Sequence, residues 1–171
     1  IRLFVKRLDK VHPFISGNKW FKLKYNLIEA KKLGHDALLT FGGAYSNHIA
    51  ATAFAAKEKN LKSIGLIRGE EHFPLNSTLA FASENGMELH YVSRSDYREK
   101  ATPLFLEKLK VRFGNFYLLP EGGANELAVR GASEILNETD TQDYICCPVG
   151  TGGTIAGIIN ATNSMQQVIG F

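Results

Sequence analysis

Cysteine is scarce in this chain: two in 171 residues, adjacent at Cys146-Cys147. Neighbours in a strand point to opposite faces, so these two are not expected to bridge each other. Two cysteines give no disulfide framework, which makes a reducing, cytoplasmic setting the expectation. Both read as small apolar core residues. Proline is rare as well, 5 against 16 glycines, which favours many strand–turn–helix junctions over a low-complexity linker. No apolar run approaches the ~18–20 residues that a membrane helix needs, so no membrane partner is expected. The opening Ile1-Arg2-Leu3-Phe4-Val5 lacks the basic leader, long apolar stretch and cleavage site of a signal peptide. His12, His35, His48, His72 and His90 show no metal-ligand spacing and have no cysteine nearby, so no metal is assigned. Charge of one sign is lacking too. The net charge is +3, and the lysines are dispersed among glutamates. No basic stripe with interleaved aromatics marks a nucleic-acid footprint.

What is present is an ordinary core-forming composition, 44% hydrophobic and 22% charged. That excludes disorder, collagen and coiled coil. The length fits one large domain or slightly more. The first residue is not Met, and Phe171 closes a strand-like run, Val168-Ile169-Gly170-Phe171. The chain is therefore read as incomplete, a piece of a longer protein.

Apolar periodicity alternates between strand-like and helix-like blocks. Strands are predicted at 1–7, 36–41, 63–67, 87–92, 116–119, 144–149 and 168–171. Helices are predicted at 18–33, 46–60, 77–85, 97–113 and 126–138, and from about 154 toward 161. Such alternation argues for an α/β fold with a mainly parallel sheet.

Three of the predicted strands run into a double glycine and then a helix: Phe41-Gly42-Gly43, Glu121-Gly122-Gly123 and Gly150-Thr151-Gly152-Gly153. Ligands of open α/β sheets bind beyond the carboxyl ends of the strands. Glycines there admit close backbone approach, and helix N-termini offer free N–H groups to an anion. Three such turns on one edge predict a site for an anionic small molecule, although each alone is also an ordinary tight turn. Gly150-Thr151-Gly152-Gly153-Thr154 is the best phosphate cradle. It is neither a Walker A loop nor a complete dinucleotide fingerprint.

Two further segments carry chemistry. In Ser16-Gly17-Asn18-Lys19-Trp20, a lysine opens a helix, where the helix end disfavours its charge and lowers its pKa. Lys19 is thus either a solvated surface lysine or a candidate Schiff-base amine. In Gly42-Gly43-Ala44-Tyr45-Ser46-Asn47-His48, Ser46 reads as a helix N-cap or as part of a carboxylate-binding turn with the amides of Asn47 and His48.

Gly-Asn-Lys, then Gly-Gly-x-x-Ser-Asn-His, then Gly-Thr-Gly-Gly-Thr, in this order, resembles the fold type II (tryptophan-synthase-β-like) pyridoxal-phosphate enzymes. Within them the chain is most similar to the 1-aminocyclopropane-1-carboxylate deaminase and D-cysteine desulfhydrase family, from about Val5 to the end. The resemblance implies a three-layer αβα architecture with open, mostly parallel sheets and two domains. Residues 1–35 and 132–171 would belong to the larger, cofactor-binding domain, whose C-terminal remainder is absent. Residues 36–131 would form the smaller one. The implied cofactor is pyridoxal 5'-phosphate, held covalently by Lys19, with Thr151, Gly152, Gly153 and Thr154 on the phosphate and Asn47 on the pyridine 3-oxygen. Ser46 would lie beside the substrate and, with the amides of Asn47 and His48, hold its α-carboxylate.

The implied reaction deaminates a small amino acid to a 2-oxo acid and ammonia, and the implied assembly is a homodimer. For D-cysteine, Lys19 would take the α-proton. The cyclopropane substrate has none, and there a tyrosine from the absent C-terminal part would take part. Two positions depart from the family pattern: Phe21 where Arg is frequent, and Tyr45 where Gln is frequent. Both bear on substrate preference. The competing expectations are another fold type II lyase acting on serine, threonine or O-acetylserine, and a non-catalytic module that holds a phosphorylated ligand.

Overall fold

Every residue of Ala37–Gly42 (β1) is buried, as expected of a central strand covered on both faces. In the computed structural model, which describes residues 2–171, β1 lies inside a four-stranded parallel sheet. Lys62–Arg68 (β2) pairs on one side, with Met87–Val92 (β3) beyond it, and Tyr117–Leu119 (β4) pairs on the other. The order is β3-β2-β1-β4.

Alternation along the strands sends successive side chains to two separate cores. Ile67 and Met87 pack with Ile49, Ala53, Leu79 and Ala82 from helices Asn47–Glu58 and Ser77–Glu84. Leu38 and Leu119 join Ala51, Ala55 and Ala56 of Asn47–Glu58 and Leu23 and Ala30 of Asn18–Lys32. On the opposite face Leu39, Phe41, Ile64 and Leu66 meet Tyr97 and Leu109. Helix, sheet and helix thus form three layers. In chain order the helices are α1 Asn18–Lys32, α2 Asn47–Glu58, α3 Ser77–Glu84, α4 Arg94–Arg98, α5 Pro103–Phe113, α6 Glu126–Ala132 and α7 Gly153–Ala161.

A second sheet pairs Tyr144–Cys147 (β5) with Gln167–Gly170 (β6), again in parallel, with α7 as the crossover. Ala132, Ile135, Cys147 and Ile158 form its core, with Phe21 packed against it. Cys147 is buried and Cys146 exposed, both free: strand alternation sends only one of two neighbours to the core, so the expectation of two core cysteines holds for Cys147 alone.

Helices α1, α6 and α7 approach one another at glycines. A Cβ on Gly131 would stand 1.9 Å from the Phe21 carbonyl oxygen, and one on Gly157 would stand 2.4 Å from the Ala132 Cβ. The helix that opens with Lys19 is thereby fixed against the second sheet.

The helices and strands depart most from the sequence expectations in three places. The strand expected at 1–7 does not form over the described residues 2–7; Leu3, Phe4 and Val5 are 89%, 64% and 72% exposed. Alternating apolar residues make a strand only where a neighbouring ladder accepts them, and this segment has none. The single helix expected at 97–113 is two. Ser93 caps α4 and Thr102 caps α5, with Pro103 in the first turn of α5, where its missing N–H costs nothing. The helix expected to reach Glu138 ends at Ala132, followed by one 3-10 turn at Ser133–Ile135 that delivers Ile135 to the core.

Candidate active site

The first two turns of α1 carry two lysines, and both are drawn inward. Lys19 is half-buried, and burial lowers its pKa from the ordinary lysine value. The helix end was expected to cause that shift; its cause is desolvation. Lys22, one turn on, is 1% exposed. Burial, and then the neighbouring charge of Lys19, lower its pKa to about 8. Among the described residues no carboxylate pairs with either amine.

Lys22 points at the turn between β5 and α7. A Cβ on Gly153 would lie 3.1 Å from the Lys22 Nζ, so glycine is what gives that ammonium its place at the start of α7. Gly152, the N-cap of α7, has φ +80°, a conformation that L side chains rarely adopt. Asn18 Nδ2 donates to Thr154 Oγ1 at 2.6 Å and ties the start of α1 to the start of α7. A cavity of about 70 Å³ lies between them, lined by Asn18, Lys19, Lys22, Gly150, Thr151 and Gly152 among others.

The turn after β4 closes the same space. A Cβ on Gly122 would meet Thr151 Oγ1 at 2.9 Å; one on Gly123 would meet the His48 ring at 3.2 Å and Lys22 Cε at 3.8 Å. The turns after β4 and β5 therefore converge on Lys22. The turn after β1 reaches them through the His48 side chain.

His48 was expected to contribute its amide; its side chain is the larger finding. The ring is 2% exposed, with Nε2 2.8 Å from Thr40 Oγ1. Thr40 donates its own proton to the Leu119 carbonyl at 3.0 Å. The hydroxyl is then an acceptor toward His48, so Nε2 carries the ring proton and Nδ1 presents a lone pair. Nδ1 is buried and has no partner among the described residues. Burial, then the charges of Lys19 and Lys22, lower the pKa of His48 to about 3, so the ring stays neutral.

Ser46 is the N-cap of α2, its Oγ accepting from the Ile49 N–H at 3.4 Å. A Cβ on Gly42 would lie 2.8 Å from that oxygen, so the close turn needs glycine there. The N–H groups of Asn47 and His48, in the first turn of α2, have no intrahelical acceptor. The Asn47 side chain is exposed. Tyr45 is 80% exposed at the tip of the turn, and Phe21 packs against the core beside the second sheet.

Lys22 is the residue that sequence reasoning missed. Its signal is the polar stripe Lys19, Lys22 and Asn26 at helical spacing, which on an amphipathic helix reads as the water face. Asn26 is instead fully buried, exchanging amide hydrogen bonds with Asn125 at 2.7 and 3.2 Å and accepting from Tyr117 Oη at 3.1 Å. No group of three or more His, Cys, Asp or Glu that could hold a metal occurs among the described residues.

Two parallel sheets whose glycine turns meet the opening of a lysine-bearing helix make an α/β architecture built to hold a small anionic ligand. The chain belongs to the pyridoxal-phosphate dependent enzyme family, which it matches over residues 1–170. It is 38% identical to a putative 1-aminocyclopropane-1-carboxylate deaminase of Thermotoga maritima over 91% of this chain and 52% of that protein. It is 34% identical to the mitochondrial bifunctional D-cysteine desulfhydrase/1-aminocyclopropane-1-carboxylate deaminase of Arabidopsis thaliana, over 91% of this chain and 44% of that one. Among solved structures, an ACC deaminase homologue superposes with a TM-score of 0.77 at 32% identity, covering 91% of this chain and 49% of that chain. A threonine deaminase shares the fold, with a TM-score of 0.67 at 21% identity. The chain spans about half the length of the curated relatives it matches.

Proposed function

We propose that the whole protein is a pyridoxal-phosphate-dependent lyase that converts a small amino acid to a 2-oxo acid and ammonia, in the manner of the 1-aminocyclopropane-1-carboxylate deaminases and D-cysteine desulfhydrases. One observation carries the reading. A buried lysine with no counter-ion among the described residues, Lys22, faces the N-terminus of α7 beside a second, half-buried lysine. An unpaired buried ammonium is costly, and a phosphate at that turn removes the cost by supplying the missing charge.

In this reading Lys19 holds the cofactor covalently. Thr151, Gly152, Gly153 and Thr154 bind its phosphate through N–H groups and hydroxyls, and Lys22 neutralises the phosphate charge. Asn47 donates to the pyridine 3-oxygen. Ser46 and the N–H groups of Asn47 and His48 hold the substrate α-carboxylate, as the free donors of a helix start can. Pyridoxal phosphate, when bound, supplies the electron sink for the substrate's α-carbon. Lys19 Nζ, its basicity adjusted by burial, accepts the α-proton of a substrate that has one. His48 remains neutral beside the two lysines and adds no third positive charge.

The reading includes the division of the chain into residues 1–35 with 132–171, around the second sheet, and 36–131, around the first. It also includes a homodimer and a cytoplasmic setting. No helix among the described residues is long and apolar enough to cross a membrane.

The deciding experiment is the absorbance spectrum of the purified whole protein before and after borohydride. The expected result is a visible band that reduction bleaches, with the reduced cofactor mapped to Lys19, and release of a 2-oxo acid from D-cysteine or aminocyclopropane carboxylate. A colourless protein that takes up no pyridoxal phosphate would refute it.

A further inference from the structure

One buried polar atom is left without a role in the site described above, Nδ1 of His48. The ring is 2% exposed, and its other nitrogen is engaged with Thr40 Oγ1 at 2.8 Å. Thr40 spends its own proton on the Leu119 carbonyl at 3.0 Å, so the paired strands β1 and β4 decide which ring nitrogen keeps its lone pair. That nitrogen has no partner among the described residues. A buried acceptor without a donor costs free energy, so its presence here needs a cause.

The Lys22 side chain shares its space. A Cβ on Gly123 would touch both, at 3.5 Å from His48 Nδ1 and 3.8 Å from Lys22 Cε. Beyond Cε, Lys22 Nζ lies 3.1 Å from the corresponding position on Gly153, at the start of α7. The end of Lys22 is therefore flanked by the His48 ring on one side and the anion turn on the other. The two side chains are not hydrogen-bonded in this structure.

An ammonium carries three donors, so one can be held by the protein while the others meet an anion. The holder has to be neutral. A carboxylate would fix the amine as well, but it would cancel the charge that attracts a phosphate and would repel the phosphate itself. The charged groups around Lys22 fit that requirement. Lys19, on its own helix, is a second cation, and Glu121, at the start of the turn after β4, is paired with Lys100 at 3.3 Å.

We infer that His48 is a positioning residue for the anion site: when an anion occupies the α7 turn, a rotation of the Lys22 end lets Nδ1 accept one of its hydrogens, and the other two are directed at the anion. The inference rests on the lyase reading only in naming that anion as the phosphate of pyridoxal phosphate. His48 acts through Lys22, and Thr40 acts one step further back by choosing the tautomer.

The test uses the whole protein at pH 7, below the pKa of about 8 of Lys22 and above the value of about 3 of His48, so the first is charged and the second neutral. Inorganic phosphate is the probe. With nitrogen-15 in the histidines, saturating phosphate should move the Nδ1 resonance of His48 upfield, as an accepted hydrogen bond does to an unprotonated ring nitrogen. The Nε2–H held by Thr40 should stay in place. Loss of both signals in His48→Gln assigns them. Phosphate affinity is then compared across variants. His48→Leu should weaken it about tenfold, the usual worth of a hydrogen bond to a charged group. His48→Gln, a neutral acceptor, should restore most of that loss, and His48→Glu should bind no better than His48→Leu. An Nδ1 resonance that saturating phosphate leaves in place overturns the inference, whether or not the variants fold. So does a His48→Gln protein as weak as His48→Leu, or a His48→Glu protein as tight as the wild type. If the wild type takes up pyridoxal phosphate in those cases, the lyase reading stands. A wild-type protein that binds neither phosphate nor pyridoxal phosphate overturns both.

Discussion

Lys22 shows how far burial changes an ordinary side chain. Lowering its pKa from 10.5 to about 8 corresponds to on the order of 3 kcal/mol held against folding of the cofactor-free protein below pH 8. Between pH 8 and 10.5 the unfolded chain binds the additional proton, so stability contributed by this site rises with pH through that window. Lys22→Met should abolish that part of the pH dependence, checked by the difference between wild-type and variant denaturation curves at pH 7 and pH 10. The same variant should weaken pyridoxal phosphate at least tenfold while leaving unphosphorylated pyridoxal nearly unaffected, checked by titration of both. His48 has the same sign at lower pH. Its folded pKa of about 3 lies below the ordinary 6.5, so its contribution is complete above 6.5 and is lost as pH falls toward 3. Nitrogen NMR should find the Nε2–H tautomer unchanged at pH 5. Thr40→Val should leave that N–H without an acceptor and cost about 1–3 kcal/mol. The glycine turns were legible in the sequence because their geometry is local; for Lys19 the direction of the pKa shift was legible, but its cause, burial, was not. The inward turn of Lys22, Asn26 and the His48 ring was not, because which side of a helix meets water is decided by what packs on it.

At the scale of elements, strand and helix positions followed closely from periodicity, and the errors fell where context overrides it. The run at 2–7 has strand composition without a ladder, and the break at residues 99–102 depends on a Thr–Pro cap inside a continuous apolar pattern. What no periodicity shows is how closely elements approach. Gly131 admits the Phe21 carbonyl at a distance that no Cβ tolerates, and this contact sets α6 against the helix that carries both lysines. Gly131→Ala should therefore destabilise the protein by about 2–3 kcal/mol or force α1 and α6 apart. It should also lower cofactor affinity, because Lys19 and Lys22 move with α1. Thermal unfolding and pyridoxal phosphate titration of the one variant check both. The Asn26–Asn125 pair does related work through hydrogen bonds. Asn125 also caps α6 through the Ala128 N–H at 2.9 Å, so the pair joins α1, α6 and, through Tyr117, β4. Asn26→Leu removes one partner and leaves the Asn125 amide and Tyr117 hydroxyl unpaired.

Over the whole molecule, the two sheets differ in how completely this chain covers them. The first has four strands with helices on both faces, and β1 is buried throughout. The second has two strands of four residues each, and Tyr144, Ile169 and Phe171 are 61%, 40% and 76% exposed. Two paired strands are marginal alone and gain stability by packing against other elements. Here that support comes mainly from α6 and α7. The site spans both sheets: the turns after β1 and β4 belong to the first, and the turn before α7 belongs to the second. Stability should therefore be uneven across the site. Hydrogen exchange on the 1–171 chain should show the amides of β1 and β2 protected most and those of β5 and β6 least, by a factor of at least ten. Inorganic phosphate should slow exchange in the second sheet and at the start of α7 more than in the first, because its proposed contacts, apart from Lys22, lie on the β5–α7 turn. Equal protection of both sheets, or a phosphate effect confined to β1–β4, would mean that the α7 turn is already rigid without its anion and that the burial of Lys22 has another cause.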